Sequence, residues 1–246
     1  MSKKTAVIIC AAGSSSRFGG SKKKVFSDVG GRAAFLRSVE AFSDRDDVGQ
    51  VILAVSPEDR EMVDLKWGPN MKFFNVKICN GGPERFDTVR NALELVSDDM
   101  ALAAIHDAAR CCLKEQWINS VFEKAGRCGA AILAAPVVAT LKKVDDGQIA
   151  QTVDRSLLWE AQTPQVFDLA LLRQAYSRLD SMDKDKISDD SQLVEALGHK
   201  VSVVQADQSN IKITYSADTA VAEAIIKSRS VPRSKGYQGP YAEAKW

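Results

Sequence analysis

The chain contains 246 residues, with 33 lysines and arginines against 32 aspartates and glutamates, and 45% of its residues are hydrophobic. This composition is typical of a soluble globular protein that can bury a sizeable core. The net charge of +1 gives no overall field that would attract nucleic acid or a membrane, and no apolar run approaches the roughly 18 residues that a membrane span needs. Membrane proteins and general nucleic-acid binders are therefore excluded, and any anion site has to be local.

The cysteines and histidines predict a cytoplasmic protein without a histidine-rich metal site. The five cysteines are odd in number and lack CxxC spacing, and two of them, Cys111 and Cys112, are adjacent. This usage indicates reduced thiols in a reducing compartment. The chain has only two histidines, His106 and His199, which are too few and too far apart in sequence for such a metal site.

Short apolar runs that alternate with helical patterns predict a three-layer α/β fold with a mostly parallel sheet. Several runs are continuously apolar, as expected of parallel strands covered on both faces. The predicted strands are Thr5–Ala11, Val51–Ser56, Phe73–Cys79, Leu102–His106, Ala130–Ala134 and Val201–Gln205. Amphipathic helices are predicted around Phe35–Phe42 and Val89–Val96, after the helix start at Ser188–Asp190, and over Ala217–Lys227.

Two segments depart from the alternation. The polar, β-prone stretch Val137–Arg155 carries the turn signal Asp146-Gly147, which predicts a hairpin that projects from the sheet. The tail from residue 228 to 246 contains prolines and glycines without apolar periodicity, which predicts a mobile extension. The expected organisation is thus one domain over residues 1–227, with an arm at about 137–156, followed by the tail.

A loop rich in small and basic residues follows the first strand. Its sequence runs from Ala11 to Gly20 and continues into Lys22, Lys23 and Lys24. Small residues directly after a strand allow backbone N–H groups to approach an anion, although neither the Walker A nor the Rossmann spacing is present. The loop predicts phosphate binding, and the alternative is a flexible, solvated basic loop. Lys22 and Lys23 are expected to be solvated charges.

The segment from His106 to Arg110 follows another apolar strand. Asp107 could serve a metal or a hydroxyl, and Arg110 could hold a phosphate; a surface ion pair is the equally simple alternative. His106 is expected to be structural. The acid-rich stretch Asp180–Asp190 lacks the EF-hand pattern and is interpreted as a solvated loop.

Taken together, the motifs resemble one family, the 2-C-methyl-D-erythritol 4-phosphate cytidylyltransferases of the non-mevalonate isoprenoid pathway. They occur in family order between about residues 6 and 227. The matching segments are Ala11-Ala12-Gly13 with Arg17 and Lys24, Gly81-Gly82 with Glu84, Arg85 and Thr88, His106–Arg110, Ala135-Pro136-Val137 with Thr140, Thr152–Arg155, Thr163-Pro164-Gln165 and Asn210–Thr214.

The resemblance implies a Rossmann-related nucleotidyltransferase fold of the glycosyltransferase-A-like kind, with a protruding β-hairpin arm. It implies that CTP and methylerythritol phosphate react with magnesium to give CDP-methylerythritol and pyrophosphate. It also implies a homodimer in which each arm helps to build the other subunit's site. A ribitol-phosphate cytidylyltransferase and a non-catalytic nucleotide-binding regulator are the alternatives.

The resemblance also assigns site residues. The catalytic cations would be Arg17, Lys24 and Lys212. The nucleotide would be bound by Ala11, Ala12, Gly13, Gly81, Gly82, Thr88 and Ala108, and the polyol phosphate by Asp107, Arg110, Thr140, Arg155, Thr163 and Lys212. No direct metal ligand is expected, because magnesium would be held mainly by the triphosphate and water, with Asp107 nearby. Arg85 would brace its loop by an ion pair. The chain departs from the usual family pattern at Lys23, Val25, Pro83 and Cys111.

Overall fold

A computed structural model describes residues 4–19 and 23–230. Within them, seven strands form one sheet in the order β3-β2-β1-β4-β8-β5-β9, and two form a separate hairpin. The strands are β1 (Thr5–Ala11), β2 (Val48–Val55), β3 (Val76–Asn80), β4 (Leu102–Asp107), β5 (Ala130–Pro136), β6 (Leu141–Asp145), β7 (Gln148–Val153), β8 (Trp159–Asp168) and β9 (Ser202–Gln205). All neighbours in the large sheet are parallel except β8, which runs antiparallel to both β4 and β5.

Helices cover both faces of this sheet, as the sequence predicts. They are α1 (Ala34–Ser43), α2 (Arg60–Phe73), α3 (Arg85–Leu93), α4 (Glu115–Cys128), α5 (Leu169–Ser177), α6 (Asp190–Glu195) and α7 (Ala217–Ser230). Along β1, Val7 and Ile9 face the layer that contains α1 and α4, whereas Ala6 and Ile8 face the layer that contains α3 and α5. This two-sided burial explains why the strand is apolar at successive positions.

The strand order places a topological switch beside β1. The chain passes from β1 to β2 on one side, and β4 later pairs with β1 on the other side. Ligands of open α/β sheets usually bind outside the carboxyl ends of strands at such a point. The fold therefore directs attention to the loops that follow β1 and β4.

The apolar runs located six of the seven strands in this sheet, but the prediction at β3 begins too early. Phe73 is the last residue of α2, and Asn75 has a φ of +51°, a left-handed conformation that ends the helix before the strand starts at Val76. The predicted helix start at Ser188–Asp190 is confirmed, because the Asp189 side chain accepts a hydrogen bond from the N–H of Gln192 and caps α6.

Strand β8 was not predicted, although it lies in the middle of the sheet. Its buried positions include Gln162, Thr163 and Gln165, and Pro164 is a residue that central strands usually exclude. The register with β5 is irregular between Ile132 and Ala134, opposite this proline. Such irregularity allows a proline inside a sheet. The proline and the buried polar residues interrupt the apolar run by which a central strand is predicted from sequence.

The hairpin of β6 and β7 forms a sheet of its own, with Leu141 paired to Val153 and Asp145 to Gln148. Most of its side chains are exposed. Helix α7 extends through Ser230, beyond the predicted end at Lys227. The remainder of the predicted mobile tail, 231–246, lies outside the described residues, as does Lys22. None of the described helices is long and apolar enough to cross a membrane.

Candidate active site

A cleft of about 270 Å³ opens at the carboxyl ends of β1 and β4. Its walls come from the loop after β1, the loop between β3 and α3, the end of β4 and the segment before α7. The lining residues are Cys10, Ala12, Gly13, Ser14, Lys24, Val25, Gly82, Pro83, Glu84, Arg85, Thr88, Asp107, Ala109 and Lys212. Elements that are distant in sequence thus converge at the switch point of the sheet.

Two of the loops touch so closely that the contact requires glycine. A Cβ atom added to Gly81 would lie 2.4 Å from the Cβ of Ala12, well inside van der Waals contact. The hydroxyl of Thr88 stabilises the same turn, because it accepts a hydrogen bond from the Gly82 N–H at 3.1 Å and donates one to the Glu84 carbonyl at 3.1 Å. The Thr88 hydroxyl therefore shapes the cleft wall.

Two lysines bring positive charge into the cleft from separate loops. Lys24 is half-buried, and its ammonium group forms no hydrogen bond or ion pair with any residue that the structure describes. Burial lowers the pKa of Lys24, and repulsion by the nearby charge of Lys212 lowers it further. Lys212 Nζ lies 2.7 Å from Asp107 Oδ2. An anion bound in this cleft would relieve the repulsion between the two lysines.

Asp107 is the buried carboxylate at the centre of a charge network. Arg85 Nε lies 3.1 Å from its Oδ1, opposite the contact that Lys212 makes with Oδ2. Burial alone would raise the pKa of Asp107, but the charges of Arg85, Lys212 and Arg110 outweigh it and hold the pKa well below its ordinary value. Asp107 is therefore an anion at neutral pH and orients both cations.

The network continues away from the cleft to Asp190 on α6. Arg85 Nη1 lies 2.6 Å from Asp190 Oδ2, and the hydroxyl of Tyr176 donates to Asp190 Oδ1 at 2.5 Å. The Asp190 side chain is 1% exposed, so the earlier interpretation of this carboxylate as part of a solvated loop is wrong. The predicted ion pair of Arg85 is confirmed. Its Nη2 atom is buried without a described partner.

His106 is buried below Asp107 and is structural, as predicted. Its Nε2 lies 3.2 Å from the Arg110 carbonyl, which can only accept, so Nε2 carries the proton. Its Nδ1 then accepts from the Thr163 hydroxyl at 3.0 Å, and that hydroxyl accepts from the Asp107 N–H at 3.0 Å. Burial lowers the pKa of His106 to about 3. The imidazole is therefore neutral and fully bonded, and it is no candidate for a general base.

This depressed pKa predicts that His106 makes the fold sensitive to acid. Between about pH 6.5, the ordinary value for the unfolded chain, and the folded value of about 3, the unfolded state binds a proton that the folded state does not. Stability should therefore fall with falling pH, by up to about 1.4 kcal/mol per pH unit from this residue. His106→Gln should remove that part of the pH dependence of the unfolding free energy, measured by urea unfolding between pH 7.5 and 5. Equal slopes for the variant and the wild type would contradict this assignment.

The structure brings many of the predicted site residues together. Those that line the cleft are Ala12, Gly13, Lys24, Gly82, Thr88, Asp107 and Lys212. Ala11 and Gly81 are buried directly behind the same wall. Ala12 and Gly13 of the loop after β1, which the sequence predicts to bind an anion (the anion loop), thus line the same cleft as the cations Lys24 and Lys212.

Three predicted site residues occupy other positions. Ala108 is fully buried and its carbonyl accepts from Ser38, so the cleft wall is formed by Ala109. Thr163 is buried below the cleft, where its hydroxyl is used by His106 and Asp107. Arg110 donates to the carbonyls of Asn210 and Ala161 and does not line the cleft.

The remaining predicted residues are exposed outside the cleft of their own chain. Arg17 lies in the loop after β1, and Thr140 and Arg155 flank the hairpin. The Arg155 guanidinium donates to the Val138 carbonyl. Neither hairpin residue lines the cleft that its own chain forms.

Sequence reasoning also missed contributors to the site. Cys10 and Ala109 line the cleft, and burial raises the pKa of the Cys10 thiol to about 12, which keeps it uncharged. Asp190 could have been found, because it stands three, four and seven residues before Leu193, Val194 and Leu197. That spacing places its carboxylate in line with the apolar stripe of its helix.

The carboxylates of the cleft fit magnesium only as part of a metal–triphosphate complex. The lining includes two carboxylates, Asp107 and Glu84, and both oxygens of Asp107 already face cations. No group of three or more metal-ligating His, Cys, Asp or Glu side chains occurs in the described parts of the chain. Most ligands of a bound magnesium ion would thus come from phosphate oxygens and water.

Comparison with known proteins identifies relatives that match most of the chain and that share one description. The family model described as "IspD: 2-C-methyl-D-erythritol 4-phosphate cytidylyltransferase" matches residues 5–228. A protein of that name from Endomicrobium trichonymphae is 43% identical over 227 residues, which cover 92% of this chain and all of the relative. The one from Rhodopirellula baltica is 38% identical over 232 residues, covering 89% of this chain and 93% of the relative.

Solved structures show the same likeness in the fold. The 2-C-methyl-D-erythritol 4-phosphate cytidylyltransferase from Thermus thermophilus superposes with a TM-score of 0.75 at 32% identity, covering 90% of this chain and 98% of that one. A 4-diphosphocytidyl-2C-methyl-D-erythritol synthase from Anaerococcus prevotii gives a TM-score of 0.78 at 27% identity, covering 92% of this chain and all of that one.

Proposed function

The chain belongs to the 2-C-methyl-D-erythritol 4-phosphate cytidylyltransferase family, and we propose that its cleft transfers the cytidylyl group of CTP to 2-C-methyl-D-erythritol 4-phosphate. The observation that carries the proposal is the convergence of Lys24, Lys212 and Arg85 at the carboxyl ends of β1 and β4. The Lys24 ammonium is unpaired among the described residues, and the charge of Arg85 reaches Asp107 at the cleft wall. A cleft of this kind suits a polyanion.

In the proposed reaction, a phosphate oxygen of methylerythritol phosphate attacks the α-phosphorus of CTP. The new P–O bond forms as the bond between the α- and β-phosphates breaks, and pyrophosphate leaves with the electron pair. The nucleophile is already ionised at neutral pH, so no general base is needed. The neutral, fully bonded state of His106 agrees with this requirement.

The main difficulty of this reaction is electrostatic, because an anion must approach a polyanion. Lys24 and Lys212 would stabilise the charge that develops on the phosphates, and backbone N–H groups of the Ala12–Ser14 segment would add donors. Asp107 would hold Lys212 and Arg85 in place for this role. Magnesium bound to the triphosphate, with Asp107 nearby, would supply further charge neutralisation.

The nucleoside would lie against Ala12, Gly13 and Gly82, which line the cleft. A Cβ added to Gly13 would meet no other atom within 4 Å, so this glycine leaves room close to the backbone. Pro83 lines the same wall without an N–H to offer. Backbone groups suit selection of a base, since a wrong base would leave them unpaired.

We also propose that two copies of the chain form a dimer by exchanging their hairpins. The hairpin region exposes the apolar side chains of Val138, Val144, Ile149 and Leu157, which are 57–89% exposed. Val144 and Ile149 are cross-strand partners, and exposed apolar patches are typical of interaction surfaces. Exchange would bring Arg155 and Thr140, which do not line their own cleft, to the polyol phosphate of the partner.

The five unpaired cysteines agree with the proposed cytoplasmic location.

A pyrophosphate-release assay tests the reaction. The purified chain should release pyrophosphate only when CTP, magnesium and methylerythritol phosphate are all present. Ribitol 5-phosphate should give a kcat/KM at least about tenfold lower, because a different polyol leaves site contacts unmade. CTP binding without pyrophosphate release would instead indicate a binding regulator, and faster turnover of ribitol phosphate would reassign the substrate.

A further inference from the structure

Lys23 is anchored on the side of its loop that faces away from the cleft, and so it is no solvated charge. Its ammonium group lies 2.7 Å from Asp59 Oδ2 and 3.2 Å from Glu58 Oε2, and it donates to Ser56 Oγ at 2.8 Å. The side chains of Lys23 and Asp59 are only 22% and 14% exposed. Burial would lower the pKa of Lys23, but the hydrogen bonds to Asp59 and Glu58 outweigh it and raise the pKa. The expectation drawn from the sequence is therefore wrong.

The anchor joins the anion loop to a different part of the sheet. Ser56 and Asp59 belong to the connection between β2 and α2, and the Ser56 hydroxyl also donates to Asp59 Oδ2 at 2.6 Å. The ammonium of Lys23 thus binds the carboxylate of Asp59, which the Ser56 hydroxyl already orients. Charge-assisted contacts of this kind are among the stronger hydrogen bonds.

The backbone on the C-terminal side of Lys23 is tied to the rest of the loop. The Lys23 carbonyl accepts from the Phe26 N–H at 3.0 Å, and the next N–H, that of Lys24, donates to Ser15 Oγ at 3.1 Å. Beyond it, Val25 is buried in the core and Phe26 stacks on Trp67 with ring centroids 5.3 Å apart. The chain is therefore fixed on the C-terminal side by packing and at Lys23 by the ion pair.

We propose that Lys23 is a positioning residue that holds the anion loop on the β2–α2 connection, so that the neighbouring Lys24 points its ammonium into the cleft. The extended backbone of Lys23, with φ −71° and ψ 140°, allows successive side chains to point in opposite directions. One lysine binds Ser56, Glu58 and Asp59, and the next lines the cleft. The role assigned to Lys24 rests on the proposed function, whereas the anchor is seen directly in the contacts of Lys23 with Ser56, Glu58 and Asp59.

A double-mutant cycle separates positioning from general stabilisation. Lys23→Met keeps most of the side chain's length and removes its charge. It should lower kcat/KM about tenfold or more, since a displacement of about 1 Å of a catalytic group is costly. In a Lys24→Ala background the same change should cost less than twofold, because Lys23 acts through Lys24. Lys72→Met, an exposed change on α2, serves as the matched control.

A second variant tests whether the anchor acts by restraining the backbone. The φ of −71° lies within the range that proline requires, and the Lys23 N–H forms no hydrogen bond with a described residue. Lys23→Pro should therefore restore a large part of the activity that Lys23→Met loses, without restoring the charge. Asp59→Asn, on the other side of the contact, should match Lys23→Met and should not add to it.

The Kd for inorganic triphosphate is also measured by calorimetry for each variant of the cycle. This binding measurement requires neither the cytosine base nor the reaction. If Lys23→Met weakens triphosphate binding only in chains that retain Lys24, the result supports the proposal. Equal losses with and without Lys24, or no loss in Lys23→Met, overturn it. If the wild type releases no pyrophosphate, the proposed function fails, while the triphosphate cycle still decides whether Lys23 positions Lys24.

Discussion

Replacing Lys24 with alanine is expected to lower kcat/KM by about two to three decades and to leave the fold intact. The loss corresponds to removal of one preorganised donor to a developing phosphate charge, about 3–4 kcal/mol in the transition state. Lys24 lines the cleft, and its ammonium group has no bonding partner among the described residues. Its removal would break no internal bond and would relieve repulsion with Lys212, so the melting temperature should not fall.

The measurement is steady-state pyrophosphate release with each substrate varied in turn, beside a thermal melt. Lys72→Ala, on the exposed face of α2, provides a charge-matched control that should remain within twofold of the wild type. Because burial and Lys212 lower the pKa of Lys24, kcat/KM should fall with rising pH at a lower pH than an ordinary lysine would cause. A loss of less than tenfold for Lys24→Ala would remove this residue from the catalytic role.

The sequence predicted the parts of the site that depend on local patterns. Ala12 and Gly13 follow a strand that is apolar at successive positions, and Lys24 follows them in the same loop. Strand ends of this kind meet at one edge of a parallel sheet. The same reasoning found Asp107 and the structural role of His106, because both stand at the end of β4.

What the sequence did not predict depends on pairings between distant segments. Asp190 reaches Arg85 across 105 residues, and Lys23 reaches Asp59 across 36. From the sequence alone, each of these charged side chains resembles a solvated surface residue, because its partner is distant along the chain. Strand β8 escaped for a related reason: Val166 and Phe167 are buried in the core, but its other buried side chains include Thr163 and Gln165, which bind His106 and the capping residue of α6.

Ala108 and Thr163 illustrate a third limit. Motif similarity places a residue in the neighbourhood of a site, but it does not say which way the side chain or the peptide points. At the end of β4, the Ala108 N–H donates to the Cys10 carbonyl at 3.0 Å, Ala108 is fully buried, and its neighbour Ala109 lines the cleft.

The second large effect is expected from mixing two inactive variants. Lys24→Ala and Arg155→Ala homodimers should each be nearly inactive if the proposed hairpin exchange supplies Arg155 to the partner's cleft. The structural reason is that Arg155 is exposed two residues beyond the end of β7 and does not line the cleft of its own chain. After both variants are refolded together in equal amounts, about half of the dimers should contain one chain of each kind.

In such a mixed dimer, one site combines the altered Lys24 of one chain with the altered Arg155 of the other. The second site then combines the two intact residues. Activity should therefore recover to roughly a quarter of the wild-type value, from half of the dimers with half of their sites intact. If both residues came from one chain, every site would carry one substitution and mixing would restore nothing. Absence of recovery, with mixed dimers verified by mass, would refute hairpin exchange and leave the assignment of the cleft to cytidylyl transfer in place, since the cleft is built within one chain.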